Sequence, residues 1–266
     1  MSETILKVSG LTKEFLLPNK KKLTACNQLS FSLKKGQTLG IVGESGSGKS
    51  TLVNMLMLME NPTAGTIHYL DKNILTLSKK EVWRIRPSIQ MVFQLPAASI
   101  NPKMKVIDAV TEPLFNYRKL TITEKRTKAI ELLSMVELSE DYLERYPRHL
   151  SGGQCQRVSI ARALSLNPDI LICDEATSAL DVSVQRKIVD LLMKLQKRNN
   201  MSILFISHDL ALVQSFAHKI LVMQDGQIVD ELDQGQQLQS SSVVYTKALL
   251  NAVYSLDKLK KAVPIE

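Results

Sequence analysis

Gly43-Glu44-Ser45-Gly46-Ser47-Gly48-Lys49-Ser50-Thr51 follows the apolar run Thr38–Val42 and leads into an unbroken, apolar helical stretch, Lys49 to Met59. GxxxxGK[ST] between a strand and a helix is the pattern of a phosphate-binding loop. With glycine near 7% of ordinary composition, these fixed positions coincide by chance in such a chain on the order of once in a hundred. A plain glycine-rich surface turn is therefore the weaker reading. Glycines let consecutive backbone N–H groups turn inward without a Cβ clash, and the helix starting near Gly48 adds its positive end. A helix end contributes only about 0.3–1 kcal/mol, or up to ~2 when partly buried. Holding a triphosphate thus requires the full set of N–H donors together with the Lys49 ammonium on the β- and γ-phosphates. Ser50 is placed to offer its hydroxyl to Mg²⁺, which takes an octahedral shell of oxygens.

Upstream of the loop the chain reads as strands, Ile5–Phe15 and Leu23–Leu33, separated by turn signals at Pro18–Lys22 and Lys34–Gln37. Downstream, Asn61-Pro62 stops the helix, a short strand pair lies around Thr66–Asn73, and Ile89–Phe93 is a further strand. From Asn101 to about Leu166 the periodicity is helical, in Val106–Tyr117, Thr123–Val136 and Gln154–Leu166. Strand and helix then alternate again as strand 169–174, helix 182–198, strand 201–207, helix 209–217 and strand 219–224. That alternation is the mark of a parallel sheet with crossover helices, here interrupted by a helical insert. Asp225-Gly226 signals a hairpin into Gln227–Leu232, and the last thirty residues read as a small helical appendage.

The apolar run Ile170–Cys173 ends in Asp174-Glu175. Alone this is a common strand ending. In a parallel-sheet chain that also carries a phosphate loop, ligands collect at the carboxyl ends of strands, so Asp174 is expected to hold a magnesium-bound water and Glu175 to polarise an attacking water. Leu150-Ser151-Gly152-Gly153-Gln154 adds a second anion-binding helix start. Ser151-x-x-Gln154 is a capping box, and its two glycines leave the helix entrance open to a phosphate.

Composition narrows the function classes. The 266 residues are 44% hydrophobic, enough for a good core, and no run approaches the roughly 18 to 20 apolar residues of a membrane helix. No secretory signal is read at the N-terminus, so a cytosolic chain is expected. Cys26, Cys155 and Cys173 are scattered without a CxxC, which argues against zinc, iron–sulfur clusters and disulfides. Thirty-four Lys and Arg against 26 Asp and Glu leave a charge of +8. Without an aromatic-interleaved basic stripe, this reads as a solvated surface near lipid headgroups, not as a nucleic-acid interface.

Leu150–Gln154, lying between the two phosphate-site segments, resembles the signature motif of the ATP-binding cassette (ABC) proteins. Further matches follow in order over nearly the whole chain: Gln94 resembles the Q-loop glutamine, Ser178-Ala179-Leu180-Asp181 the D-loop, His208 the switch histidine, and Phe15 the adenine-stacking aromatic, usually a tyrosine. The resemblance implies an α/β P-loop NTPase cassette with a RecA-like parallel-sheet core, an N-terminal antiparallel β subdomain and an inserted helical subdomain. Its expected limits are residues 1–233, with the insert at about 95–166 and an appendage at 234–266. It also implies ATP and Mg²⁺ as ligands, with Ser50, Gln94 and Asp174 around the metal. Glu175, His208 and Gln94 would serve hydrolysis, while Ser151, Gly152, Gly153, Gln154 and Asp181 would meet a nucleotide held by a second ATPase subunit. Implied partners are integral membrane permease subunits and, indirectly, an extracytoplasmic solute-binding protein, with the chain peripheral on the cytoplasmic face and no nucleic acid bound.

Ile89–Gln94 continuing to Ser99–Met104, and Tyr245-Thr246-Lys247-Ala248-Leu249-Leu250, resemble the oligopeptide, dipeptide and nickel importer group. Leu95 and Ala97 depart from it, standing where Asp and Tyr are common, and no cysteine cluster follows the appendage. Peptide uptake is the first expectation and nickel or a metal chelate the second. A soluble cassette of translation or DNA repair fits less well, because there is one phosphate loop and no coiled-coil or zinc insert. A purely regulatory nucleotide-binding module is disfavoured by the presence of both Glu175 and His208.

Overall fold

The computed structural model describes residues 3–18, 20–233 and 241–250. The chain divides into two compact units, one formed by residues 1–77 and 204–266, the other by 78–203.

In the first unit, β1 (Thr4–Leu16) pairs antiparallel with β2 (Lys22–Lys34). β3 (Thr38–Val42) runs into α1 (Lys49–Leu56), and β4 (Ala64–Tyr69) returns to pair antiparallel with β1 and with the short β5 (Lys72–Asn73). Positive φ at Leu70 and Asp71 makes the tight turn between β4 and β5. The expected helix through Met59 stops at Leu56, because Leu58 adopts φ 55° and the Met59 and Glu60 N–H groups fold back onto the Asn54 carbonyl.

The second unit opens with α2 (Lys79–Ile85), started by a complete Ser78/Glu81 capping box. Then follow β6 (Ile89–Val92), the single turn α3 (Pro96–Ser99), α4 (Val106–Phe115), α5 (Ile122–Met135) and α6 (Gly152–Leu164). β7 (Ile170–Asp174) lies parallel to β6, pairing Ile89 with Ile170 through Val92 with Cys173. α7 (Val182–Asn199) closes the unit. Arg162 on α6 ties the helical layer together, donating to the Ser99 carbonyl at 3.0 Å and to Glu112 of α4 at 2.6 Å.

β8 (Ser202–Ser207) carries the chain back to the first unit, where α8 (Leu210–Gln214), β9 (Lys219–Gln224) and β10 (Gln227–Asp233) complete it. β9 is parallel to β3 and antiparallel to β10 across the Asp225-Gly226 hairpin, both turn residues having positive φ. The buried strands β3, β7 and β8 are apolar throughout most of their length, as strands covered on both faces must be. Phe205 is fully buried and meets Phe216 edge-to-face at 5.0 Å. Gly40 lets α8 lie against β3, since a Cβ there would come within 2.2 Å of Val213 Cγ1.

These elements give the expected mixed architecture, an antiparallel N-terminal sheet and parallel pairs with helices. The expected helix 209–217 contracts to Leu210–Gln214, and the Gln154–Leu166 helix becomes Gly152–Leu164. α2 was not anticipated. None of its residues is buried, so it carries no apolar stripe for periodicity to reveal. Of the appendage, residues 234–240 and 251–266 lie outside the described residues, and 244–250 are helical.

Candidate functional site: a phosphate loop and an acid-tipped strand

In the first unit the loop leaves β3 at Gly43 and enters α1 at Lys49. Gly43 and Gly48 are glycine for lack of room: a Cβ would approach Met223 O to 2.2 Å at the first and Ala25 O to 2.3 Å at the second, which also has φ 100°. Gly46 differs. Its φ is 84° and a Cβ there would meet nothing within 4 Å, so it serves backbone conformation on the open side of the loop. Glu44, Ser45 and Gly46 are exposed, whereas Ser47 and Lys49 are buried.

Lys49 Nζ donates to Gly43 O and Glu44 O, both at 2.7 Å, and to Ser47 Oγ at 3.2 Å. Three neutral oxygens thus hold the ammonium under the loop. α1 has neither a side-chain cap nor an acidic residue in its first turn. Its leading N–H groups keep their affinity for an anion, and the exposed Ser50 and half-buried Thr51 put hydroxyls at that helix entrance. His208 stands exposed after β8, outside α8, whose N-cap is Asp209 through a 2.9 Å bond from Leu212 N–H. Phe15 is half-buried near the end of β1, with Lys13 Nζ 4.9 Å from its ring centroid, a cation–π distance. Lys13 is itself held by Glu60 Oε1 at 2.5 Å and Asn61 O at 2.8 Å.

In the second unit Asp174 ends β7 and Glu175 turns the chain with φ 46°. A left-handed non-glycine residue costs of order 1 kcal/mol or more and recurs at functional sites. Here it brings the Glu175 carboxylate to Gln94, whose Nε2 donates to Glu175 Oε2 at 2.8 Å and, more weakly, to Ser178 Oγ at 3.5 Å. Ser178 Oγ in turn donates to Glu175 O at 3.0 Å. The Gln94 amide nitrogen is thereby committed to the acid.

Ser151 makes the expected capping box: its Oγ accepts from Gln154 N–H at 3.3 Å, and Gln154 Oε1 accepts from Ser151 N–H at 2.9 Å. Ser151 and Gly152 are exposed, and Gly153 is confined, since a Cβ there would fall 2.7 Å from Val184 Cγ1. Asp181 caps α7, accepting from Val184 N–H at 2.9 Å and Ser183 Oγ at 2.7 Å. The Ser183 hydrogen bond, followed by that from Val184, lowers its carboxyl below the ordinary aspartate value.

Two contacts had no local sequence signal: Tyr142 OH accepts from Gln154 Nε2 at 2.9 Å, and Tyr245 OH accepts from the Glu44 N–H at 3.1 Å. Each joins residues that only the fold brings together. Lys13 against Phe15 is different, because their i, i+2 spacing on a strand places them on one face.

Cys26, Cys155 and Cys173 are free and buried. Desolvation raises all three thiols, Cys26 to about 11 from an ordinary 9.0. A thiol reagent at neutral pH is therefore expected to label none of them in the folded chain and all three in urea. Because Cys26 keeps its proton in the fold but loses it near 9.0 when unfolded, its contribution is intact below that pH and fades as pH rises toward about 11. A urea titration at rising pH checks the sign.

A glycine-hinged loop holding a lysine at the head of one parallel strand, and an acid pair ending another, define a P-loop nucleotide hydrolase. A family model described as ABC transporter matches residues 26–178. The oligopeptide transport ATP-binding protein OppF of Haemophilus influenzae is 40% identical over 274 residues, covering 99% of this chain and 82% of that protein. The di/tripeptide transport ATP-binding protein DppF of Pseudomonas aeruginosa is 40% identical over 255 residues, covering 94% and 79%. Among solved structures, a dimeric ATP-binding cassette in a post-hydrolysis state with ADP and Pi superposes with TM-score 0.78 at 32% identity, covering 88% of this chain and all of that one. The chain belongs to the ABC transporter family and is one of its ATP-binding, ATP-hydrolysing cassettes.

Proposed function

We propose that this chain is the ATPase subunit of a peptide importer, driving a separate membrane permease through ATP-dependent closure of a cassette dimer. The observation that supports the motor part is the pairing of Gln94 with Glu175, which puts the water-activating acid of this reading under the control of the loop leading to the insert. Peptide as cargo is supported by the relatives, both named for peptide transport. No helix among the described residues is long and apolar enough to cross a membrane. In this reading the transport path belongs to partner subunits.

In this reading residues 1–233 form the ATPase domain, residues at about 95–166 the helical insert, and 234–266 the appendage. Phe15 stacks on adenine. Residues Gly43 to Thr51 wrap the phosphates, and Lys49 moves from its carbonyl acceptors to the β- and γ-phosphates. Mg²⁺ would be held by Ser50, Gln94 and Asp174, an all-oxygen set suited to it, and would supply charge neutralisation at the transferring phosphoryl group. Glu175 orients or deprotonates water, and His208 fixes the γ-phosphate. The exposed entrance of α6, from Ser151 to Gly153, and Asp181 beyond it meet the nucleotide of a second ATPase subunit. Work comes from the difference in ATP affinity between open and closed dimers, since a ligand shifts an equilibrium only by its differential binding. The subunit is thereby peripheral on the cytoplasmic face, with a solute-binding protein delivering cargo on the other side.

The test is co-purification and transport. An integral membrane protein is expected to accompany the chain from detergent extracts, and the assembly in proteoliposomes should take up a labelled tripeptide only with ATP inside the nucleotide-accessible compartment. Uptake of nickel without peptide would reassign the cargo, and a chain that hydrolyses ATP with no membrane partner would remove it from transport.

A further inference from the structure

Gly43 C=O and Glu44 N–H belong to one peptide group, and the structure grips both of its ends. Lys49 Nζ donates to the carbonyl at 2.7 Å, while the hydroxyl of Tyr245 accepts from the N–H at 3.1 Å. Behind the plane, Gly43 has no room to shift, with Met223 O already where a Cβ would sit. Tyr245 reaches this position from residues 241–250, a segment that is itself fastened: Ser241 Oγ and Thr246 Oγ1 each donate to Asp230 Oδ2 of β10 at 2.6 Å. Thr246 is fully buried and Leu250 nearly so. Burial raises the Tyr245 phenol above its ordinary value, so it remains a neutral hydroxyl at physiological pH.

We infer that Tyr245 is a positioning residue for the nucleotide site, fixing the Gly43–Glu44 peptide that sets where Lys49 rests, and that residues 241–250 are thereby a handle on nucleotide binding. A peptide plane is rigid, so an acceptor on its N–H also fixes the direction of its carbonyl. Turning that carbonyl away would deprive Lys49 of one of its oxygens and change the ammonium position that the incoming phosphates meet. The hydroxyl acts through Lys49 and touches no reacting atom. The inference rests on the reading of this loop as the ATP site, and the experiment separates the two.

Affinity for a non-hydrolysable ATP analogue, kcat and KM are measured on the full chain and its variants. Tyr245→Phe removes only the hydroxyl. Loss of one ordinary hydrogen bond corresponds to a roughly 3- to 10-fold weaker affinity and a matching rise in KM, with kcat unchanged. Ser241→Ala combined with Thr246→Val frees the segment from Asp230 and should produce a similar weakening. Combined with Tyr245→Phe it should add little, because the same contact is already gone. A purely structural tyrosine would lower the melting temperature in Tyr245→Phe and leave affinity and KM at their wild-type values, which overturns the inference. An effect of Tyr245→Phe fully additive with the anchor variant also overturns the handle. Lys49→Ala in the same assay tests the underlying reading: normal affinity there sinks the loop assignment, whereas weak binding there with normal binding in Tyr245→Phe sinks the tyrosine alone.

Discussion

Glu175→Gln is expected to bind ATP as the wild type does and to hydrolyse it about 10²–10⁴-fold more slowly, the range for loss of a general base. The substitution preserves volume, and the amide oxygen can still accept from Gln94 Nε2, which lies 2.8 Å from Glu175 Oε2. Glutamine also tolerates the φ of 46° no worse than glutamate, so the turn after β7 should survive. What disappears is the negative charge that, in the proposed mechanism, orients water and accepts its proton. Single-turnover phosphate release set against equilibrium ATP binding checks both halves. Unchanged turnover would remove Glu175 from its role, while loss of binding would mean that the side chain supports the site's shape and not its chemistry.

The separation of shape from chemistry also marks what could be read in the sequence. Gly43, Gly48 and Lys49 were legible because a loop with φ 100° at one glycine and backbone oxygens crowding two of them admits few other residues. The Ser151/Gln154 box was legible because both partners lie within one helical turn. β7 stood out because a strand covered on both faces is apolar almost to its end. The Gln94–Glu175 bond spans 81 residues and the Tyr245–Glu44 bond 201, and no local pattern encodes either. The D-loop resemblance directs Asp181 toward a neighbouring subunit, and within its own chain it caps α7. Its S-A-L-D context and its helix-start position are the same residues, so the two roles are compatible. α2 is illegible for the opposite reason to β7: it has no buried residue, and it is held by the Ser78/Glu81 cap and by Trp83 against Tyr117, ring centroids 4.5 Å apart.

Lys49→Ala tests the other half of the site, binding. In the wild type Lys49 is nearly buried, at 5% exposure, and its ammonium rests on Gly43 O, Glu44 O and Ser47 Oγ. Bringing a triphosphate to the loop exchanges these neutral acceptors for anionic ones, and hydrogen bonds to charged groups are worth roughly 1.5–3 kcal/mol each. Losing two of them, one to each of the β- and γ-phosphates, gives about 3 kcal/mol at the low end, hence affinity weaker by at least about 10²-fold. The fold should tolerate the change better than the ligand does, because the loop's outer side, at Glu44 to Gly46, is exposed and water can replace the lost donors. The expected pattern is a melting temperature within a few degrees of wild type together with ATP binding too weak to saturate at millimolar concentration. Lys49→Arg sharpens the result: it keeps the charge but brings a planar fork into a space shaped for a point cation, so it should recover little of the affinity. If Lys49→Ala instead bound ATP normally, the ammonium would have no part in holding the phosphates, and the loop between β3 and α1 would lose its standing as the nucleotide site.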